Sequence, residues 1–217
     1  MITRPVDLLL GRSMSIAATK MNEVVQVGFR GIVRALEAEP RAMLLSRWNE
    51  SVLRYHFCRA IAAVHPEVEQ FVECDRLDLV LVQAPLRGFI EFKFYARPLR
   101  FDAYGRGQRG FKGGPSQKNL GEFEACIDQL HARESVPGLS KYIVLVYADP
   151  KGDSRPRLTY AKHYDDYKHP RDEFRIRLME ASPEIPATDV VVRAKLYEVG
   201  AAQQCNGRTT VGMETRR

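Results

Sequence analysis

Apolar and polar positions divide the 217-residue chain into a helical first part and a strand-rich middle. Val24, Val27, Ile32 and Leu36 recur at helical spacing over residues 20–37, although Gly28 and Gly31 weaken that helix. Glu39-Pro40 breaks the pattern. Leu45, Trp48, Val52, Phe57, Ile61 and Val64 carry a second apolar stripe, which predicts one long helix over residues 41–64 ended by His65-Pro66. Runs rich in β-branched and aromatic residues follow at 71–74, 79–82 and 88–94, and predict an antiparallel meander with a turn over 83–87 between the last two. The run 88–94 is apolar on both faces apart from Glu91 and Lys93, as in an interior strand. Leu120, Phe123, Ile127 and Leu130 predict a helix over 119–134, the continuous apolar run 141–148 a fully buried strand, and 189–199 a late strand. A strand, helix, strand order returning to one sheet implies a right-handed crossover. Residues 1–19 lack a clear period and read as a flexible N-terminal arm; 201–217 read as a disordered tail, leaving 20–200 as a single domain.

Two polar stretches interrupt these elements. Residues 96–118 hold five glycines, two prolines and six Arg or Lys against one Asp, with Phe101, Tyr104 and Phe111 interleaved. A loop of this length in a compact domain is usually functional or disordered. Cations for phosphates and aromatics for base stacking suit a strand-gripping loop, so Arg97, Arg100, Arg106, Arg109, Lys112 and Lys118 are candidate nucleic-acid contacts. Beyond Asp149, the cluster of Tyr160, His163, Tyr164, Tyr167 and His169 reads as loop and surface, because His163 and His169 lack a metal-ligand spacing.

Composition adds boundaries. The chain is 45% hydrophobic and 28% charged, with a net charge of +6 and a pI near 9.2, a modest basic bias compatible with a nucleic-acid partner. Cys58, Cys74, Cys126 and Cys205 are widely spaced, which argues against a zinc ribbon or a disulfide scaffold and suggests free thiols in a reducing compartment. The only apolar run near the N-terminus, Leu8 to Leu10, is short for a signal sequence, and no stretch approaches a membrane span. A cytoplasmic protein without membrane contact is the expectation.

The chemistry concentrates in residues 76–94, RLDLVLVQAPLRGFIEFKF. Charged groups in apolar strands are costly unless they are paired or hold a metal. Side chains alternate along a strand, so Glu91 and Lys93 share a face. A turn centred between Pro85 and Leu86 would set Asp78 opposite Lys93 and diagonal to Glu91, within about 8 Å. A one-residue slip would send Asp78 to the other face. Two carboxylates and an ammonium in one place suit phosphodiester cleavage. Mg²⁺ on one or two carboxylates, completed by waters and substrate phosphate, positions water and neutralises charge. A nearby lysine orients or deprotonates the water and stabilises developing charge. Asp75, a rival to Asp78, reads as a turn residue. Glu50 has a plain reading as a solvated helix residue paired with Arg54 at i+4.

The spacing D-x12-E-x-K, on a hairpin after an acid-bearing helix, resembles the PD-(D/E)XK nuclease superfamily, which has the restriction-endonuclease-like fold. The matching residues are Asp78, Glu91 and Lys93. The family's leading proline is absent, since Leu77 precedes Asp78. The resemblance implies an α/β fold with an αβββαβ core over about residues 41–148, a central mixed sheet flanked by helices. It implies a Mg²⁺-dependent endonuclease, with Mn²⁺ able to substitute, acting on nucleic acid and above all DNA. Asp78 and Glu91 would bind metal with the Phe92 carbonyl, Lys93 would activate water, and Glu50 would be a second metal ligand. A glutamine, Gln117 or Gln129, would join them. A homodimer is compatible with cutting two strands. A catalytically silent binding or regulatory protein of immunity type on the same fold is the second reading, and an unrelated α/β domain with structural hairpin charges the third.

Overall fold

A computed structural model of the chain describes residues 6–39, 48–96, 99–101, 107–109, 116–133, 136–151, 159–171, 174–187 and 190–201. The first helix, α1, spans Val6–Ala38. It thus covers most of the segment expected to be an arm. The second, α2, spans Glu50–Val64 and not 41–64. Asn49 decides its start: the Asn49 side chain accepts from the Val52 backbone N–H at 2.9 Å, a cap that satisfies a donor with no partner inside the helix. Trp48, which fits the apolar stripe, lies before the cap and stacks on His56 at 5.1 Å. Gly28 and Gly31 allow α1 and α2 to approach closely. A Cβ at Gly28 would lie 2.6 Å from the Phe57 ring, and one at Gly31 would lie 2.3 Å from the Ala60 Cβ.

Three strands follow, β1 (Glu69–Cys74), β2 (Leu77–Gln83) and β3 (Leu86–Tyr95), paired antiparallel in sequence order as the pattern predicts. The glycine-rich region contains a short two-stranded sheet, β4 (Leu99–Phe101) with β5 (Gly107–Arg109). Helix α3 (Gln117–Ala132) then leads to β6 (Leu139–Pro150), which runs parallel to β3. A one-turn helix α4 (Ala161–Tyr164) precedes β7 (Phe174–Ala181), β8 (Ile185–Pro186) and β9 (Val190–Ala201). The main sheet has seven strands in the order β1-β2-β3-β6-β9-β7, with β8 beside β9. This is a mixed α/β fold containing the αβββαβ order. The tail beyond Ala201 lies outside the described residues.

The alternation along β6 builds two cores. Tyr142, Val144 and Val146 face α1 and α2, where Phe29, Leu53, Phe57 and Ile61 pack. Ile143, Leu145 and Tyr147 face α3, against Phe123, Cys126, Ile127 and Leu130. All six of these β6 side chains are fully buried, so the strand is apolar without interruption from Tyr142 to Tyr147. The second core also takes Tyr160 and Tyr164, expected at the surface, which are 1% and 0% exposed. Their stretch is polar on average, but Tyr160 and Tyr164 stand four residues apart across the one turn of α4, so both rings fall on one face and pack. The His169 side chain is buried beside them. Cys58, Cys74 and Cys126 are free thiols, and Cys205 lies outside the described residues. No helix among the described residues is long and apolar enough to cross a membrane.

Candidate functional site

The hairpin register differs from the expected one by two residues. Its turn is Ala84-Pro85, and Gln83 pairs with Leu86 and Leu79 with Ile90. The next pair outward is therefore Asp78 with Glu91, not Asp78 with Lys93. A shift of two keeps every side chain on its face, so the two carboxylates still meet, and more directly than the diagonal arrangement would allow.

The β2–β3 ladder ends at Leu79 and Ile90, whereas β3 continues beside β6 to Tyr95. The β3 edge from Glu91 to Tyr95 therefore has no strand on the β2 side, and its N–H groups need other acceptors. Acid side chains supply them. The Phe92 N–H donates to Asp78 Oδ2 at 2.7 Å, and the Phe94 N–H donates to Glu50. In a strand the N–H and C=O of one residue point to the same side. The Phe92 carbonyl thus faces the Asp78 side as well.

Glu50 is the first helical residue of α2, not a mid-helix residue. Its Oε1 lies 4.0 Å from Lys93 Nζ. Arg54, the expected i+4 partner of Glu50, turns away. It donates to Glu73 Oε1 at 2.7 Å, and its Nη1 lies 3.6 Å from Asp78 Oδ1. Asp75 sits in the β1–β2 turn at φ 51° and pairs with Arg133, as a turn residue.

The electrostatics follow from this crowding. Glu91 is 6% exposed, and its Oε1 is buried without a hydrogen-bond partner. Burial and the neighbouring Asp78 charge push its carboxyl up to about 7, against the pull of Lys93. Burial also raises Glu50, opposed by Lys93. Burial works against the Lys93 ammonium, but Cys126, Glu50 and Asp78 outweigh it and raise Lys93 above the ordinary lysine value. The Cys126 thiol, pushed up to about 11 chiefly by burial, is neutral near pH 7, so Glu50 and Asp78 carry that effect there. Lys93 is therefore a fixed cation near neutral pH and is poorly suited to taking a proton from water.

Other expected residues are less closely tied to the carboxylates. Gln117 opens α3 and is exposed. Gln129 donates to the Arg76 carbonyl at 3.0 Å and so braces the β1–β2 turn. Lys118 is exposed and lies 3.8 Å from Glu122. Arg100 and Arg109 fall in β4 and β5, and Arg97, Arg106 and Lys112 lie outside the described residues. Three neighbours were not expected: Arg54 at Asp78, Cys126 beside Lys93, and Tyr95 two residues beyond Lys93. Strand alternation alone could have found Tyr95.

Among the described residues, no group of three or more His, Cys, Asp and Glu is arranged to hold a metal ion. A cavity of about 450 Å³ lies elsewhere, between α1 and the β7–β8 segment, with Val33, Arg34 and Glu180 in its walls. No family model, curated protein or solved structure matches the chain.

Proposed function

We propose that the chain is a metal-dependent nuclease that hydrolyses phosphodiester bonds, with DNA as the expected substrate and Mg²⁺ or Mn²⁺ as the ion. One observation carries this reading: Asp78 and Glu91 face each other where two strands part, and Glu91 keeps a buried carboxylate oxygen without a partner. Two carboxylates in that position repel, and Glu91 escapes ionisation until about pH 7. A divalent cation relieves the repulsion and uses the spare oxygen. The donors are all oxygen, which suits Mg²⁺, an ion that commonly takes only one or two carboxylates and fills its shell with water and phosphate. The order of helix acid, hairpin, E-x-K, helix and buried strand supports the resemblance to PD-(D/E)XK nucleases.

In this reading Asp78, Glu91 and the Phe92 carbonyl hold the ion, with Glu50 as a further ligand once it leaves Lys93. The bound ion supplies charge neutralisation and an acidified water. Lys93, charged at neutral pH, stabilises negative charge developing on the phosphate. Arg54 holds Asp78 from behind. The basic residues of 96–118 grip the nucleic-acid backbone, and a homodimer would supply a second site for cutting both strands of a duplex.

The test is cleavage of a panel of single-stranded and duplex DNA and RNA, with Mg²⁺, Mn²⁺ or EDTA, by the native chain and Lys93→Ala. The expected result is cation-dependent cleavage that falls about 10²–10³-fold in the variant. Cleavage that survives EDTA or the substitution sinks the assignment. The second reading is a silent binding protein on this fold, favoured by the lack of a three-ligand group among the described residues. It expects no heat of Mn²⁺ binding in calorimetry, whereas the nuclease reading expects binding that Asp78→Asn abolishes.

A further inference from the structure

Glu91, Lys93 and Tyr95 follow one another at two-residue steps on β3, so all three share the sheet face covered by α3. Tyr95 is 6% exposed. Its hydroxyl is buried without a hydrogen-bond partner, and so is that of Tyr164. The two rings stack with centroids 5.8 Å apart and planes 10° apart. Tyr160 stacks on both, at 5.9 Å from Tyr95 and 6.1 Å from Tyr164. Its hydroxyl accepts from Asn119 Nδ2 at 3.1 Å. One phenol of the three is thus served by α3, and two are not.

A phenol hydroxyl without a partner is worse in a protein interior than the ring hydrogen of phenylalanine. Packing alone therefore gives no reason for tyrosine at these positions. The surroundings of Tyr95 indicate what is missing. Burial above all raises the Tyr95 hydroxyl, and the Glu50 and Glu122 charges raise it further, so Glu50 acts on both Lys93 and Tyr95. Glu50 already places an anion 4.0 Å from Lys93 Nζ. The Glu50 and Glu122 side chains are 46% and 52% exposed, so both can swing aside.

We propose that Tyr95, with Tyr164 stacked against it, is a substrate-binding residue: its hydroxyl donates to a non-bridging oxygen of the phosphodiester engaged by Lys93. The substrate phosphate takes the anion position that Glu50 fills in the free chain, which frees Glu50 to turn toward the carboxylate pair. This assignment rests on the nuclease reading for the identity of the ligand and adds a hydrogen-bond donor to that site.

The decisive variants are Tyr95→Phe and Tyr164→Phe in the full chain. Three quantities are measured: melting temperature, affinity for a fluorescein-labelled oligonucleotide in Ca²⁺, and cleavage rate in Mg²⁺. Tyr95→Phe is expected to melt no lower than the native chain while affinity and cleavage each fall roughly 10–100-fold, the loss typical of a hydrogen bond to a charged oxygen. A Tyr95→Phe chain that binds and cleaves within twofold of native overturns the proposal and returns the tyrosines to core packing. A Tyr95→Phe chain that does not fold overturns the proposal, because the hydroxyl then serves the free chain; Tyr164→Phe, which loses only the neighbouring unpartnered hydroxyl, checks by its melting temperature that removing such a hydroxyl leaves the fold intact. A native chain that cleaves nothing defeats the nuclease reading alone, and oligonucleotide affinity then decides: a fall in Tyr95→Phe supports the donor role, and unchanged affinity overturns it. A native chain that neither binds nor cleaves overturns both.

Discussion

Replacing Glu91 by glutamine is expected to stabilise the metal-free protein at pH 8 and to leave its stability near pH 4.5 unchanged. Glutamine keeps the shape of the side chain and removes the charge that burial and Asp78 oppose. The native carboxyl titrates at about 7 against an ordinary 4.5. Below about 4.5 it is protonated in both folded and unfolded chains and contributes no pH dependence. Between about 4.5 and 7 the unfolded chain releases a proton that the folded chain keeps, so native stability falls as pH rises; above about 8 the loss levels off. The full difference corresponds to about 3 kcal/mol at most, because each pH unit of separation is worth about 1.36 kcal/mol. Glu91 is nearly out of solvent, so water screens little of it. At about 2–4 °C per kcal/mol for a chain of this size, Glu91→Gln should melt roughly 6–12 °C higher than native at pH 8. Thermal melts of both chains in EDTA at pH 4.5, 6, 7 and 8 measure this, since subtracting the curves removes groups common to both. Adding Mn²⁺ should then raise only the native chain, by about 2.7 kcal/mol at a hundred times its dissociation constant. A variant less stable than native at pH 8, or a gap equal at all four pH values, refutes the idea of an uncompensated carboxylate pair.

Two further substitutions test other parts of the structure. Gly31→Ala should destabilise by about 1–3 kcal/mol in urea unfolding although alanine is the better helix former, because its methyl would lie 2.3 Å from the Ala60 Cβ. An unchanged midpoint would mean that α1 and α2 are not packed this closely. Alanine at Arg97, Arg100, Arg106, Arg109 or Lys112 should weaken oligonucleotide binding and lower the salt slope of log Kd by about 0.7–0.9 for each phosphate contact removed. An unaltered slope across the set would separate this segment from nucleic-acid binding.

Local periodicity determined much of this protein. The meander, α3, the buried strand β6 and the late strand β9 are legible because each has one strong period and a clear stop. The shared face of Glu91 and Lys93 is equally legible, since alternation along a strand is independent of what packs on it. Other features depended on competition between distant groups. Asn49 halts α2 by offering a side-chain acceptor, although the apolar stripe runs through it. Gly28 and Gly31 look like helix breakers until Phe57 and Ala60 of the neighbouring helix come to rest against them. The exact register of Asp78 turned on where the Ala84-Pro85 turn closes, because a shift of two residues leaves the face pattern unchanged. Arg54 abandoned its helical neighbour Glu50 because β1 and β2 bring Glu73 and Asp78 within reach. The raised carboxyl of Glu91 and the unpartnered hydroxyl of Tyr95 belong wholly to the tertiary structure. Both follow from burial, which depends on how the sheet and α3 close over residues far apart in the chain.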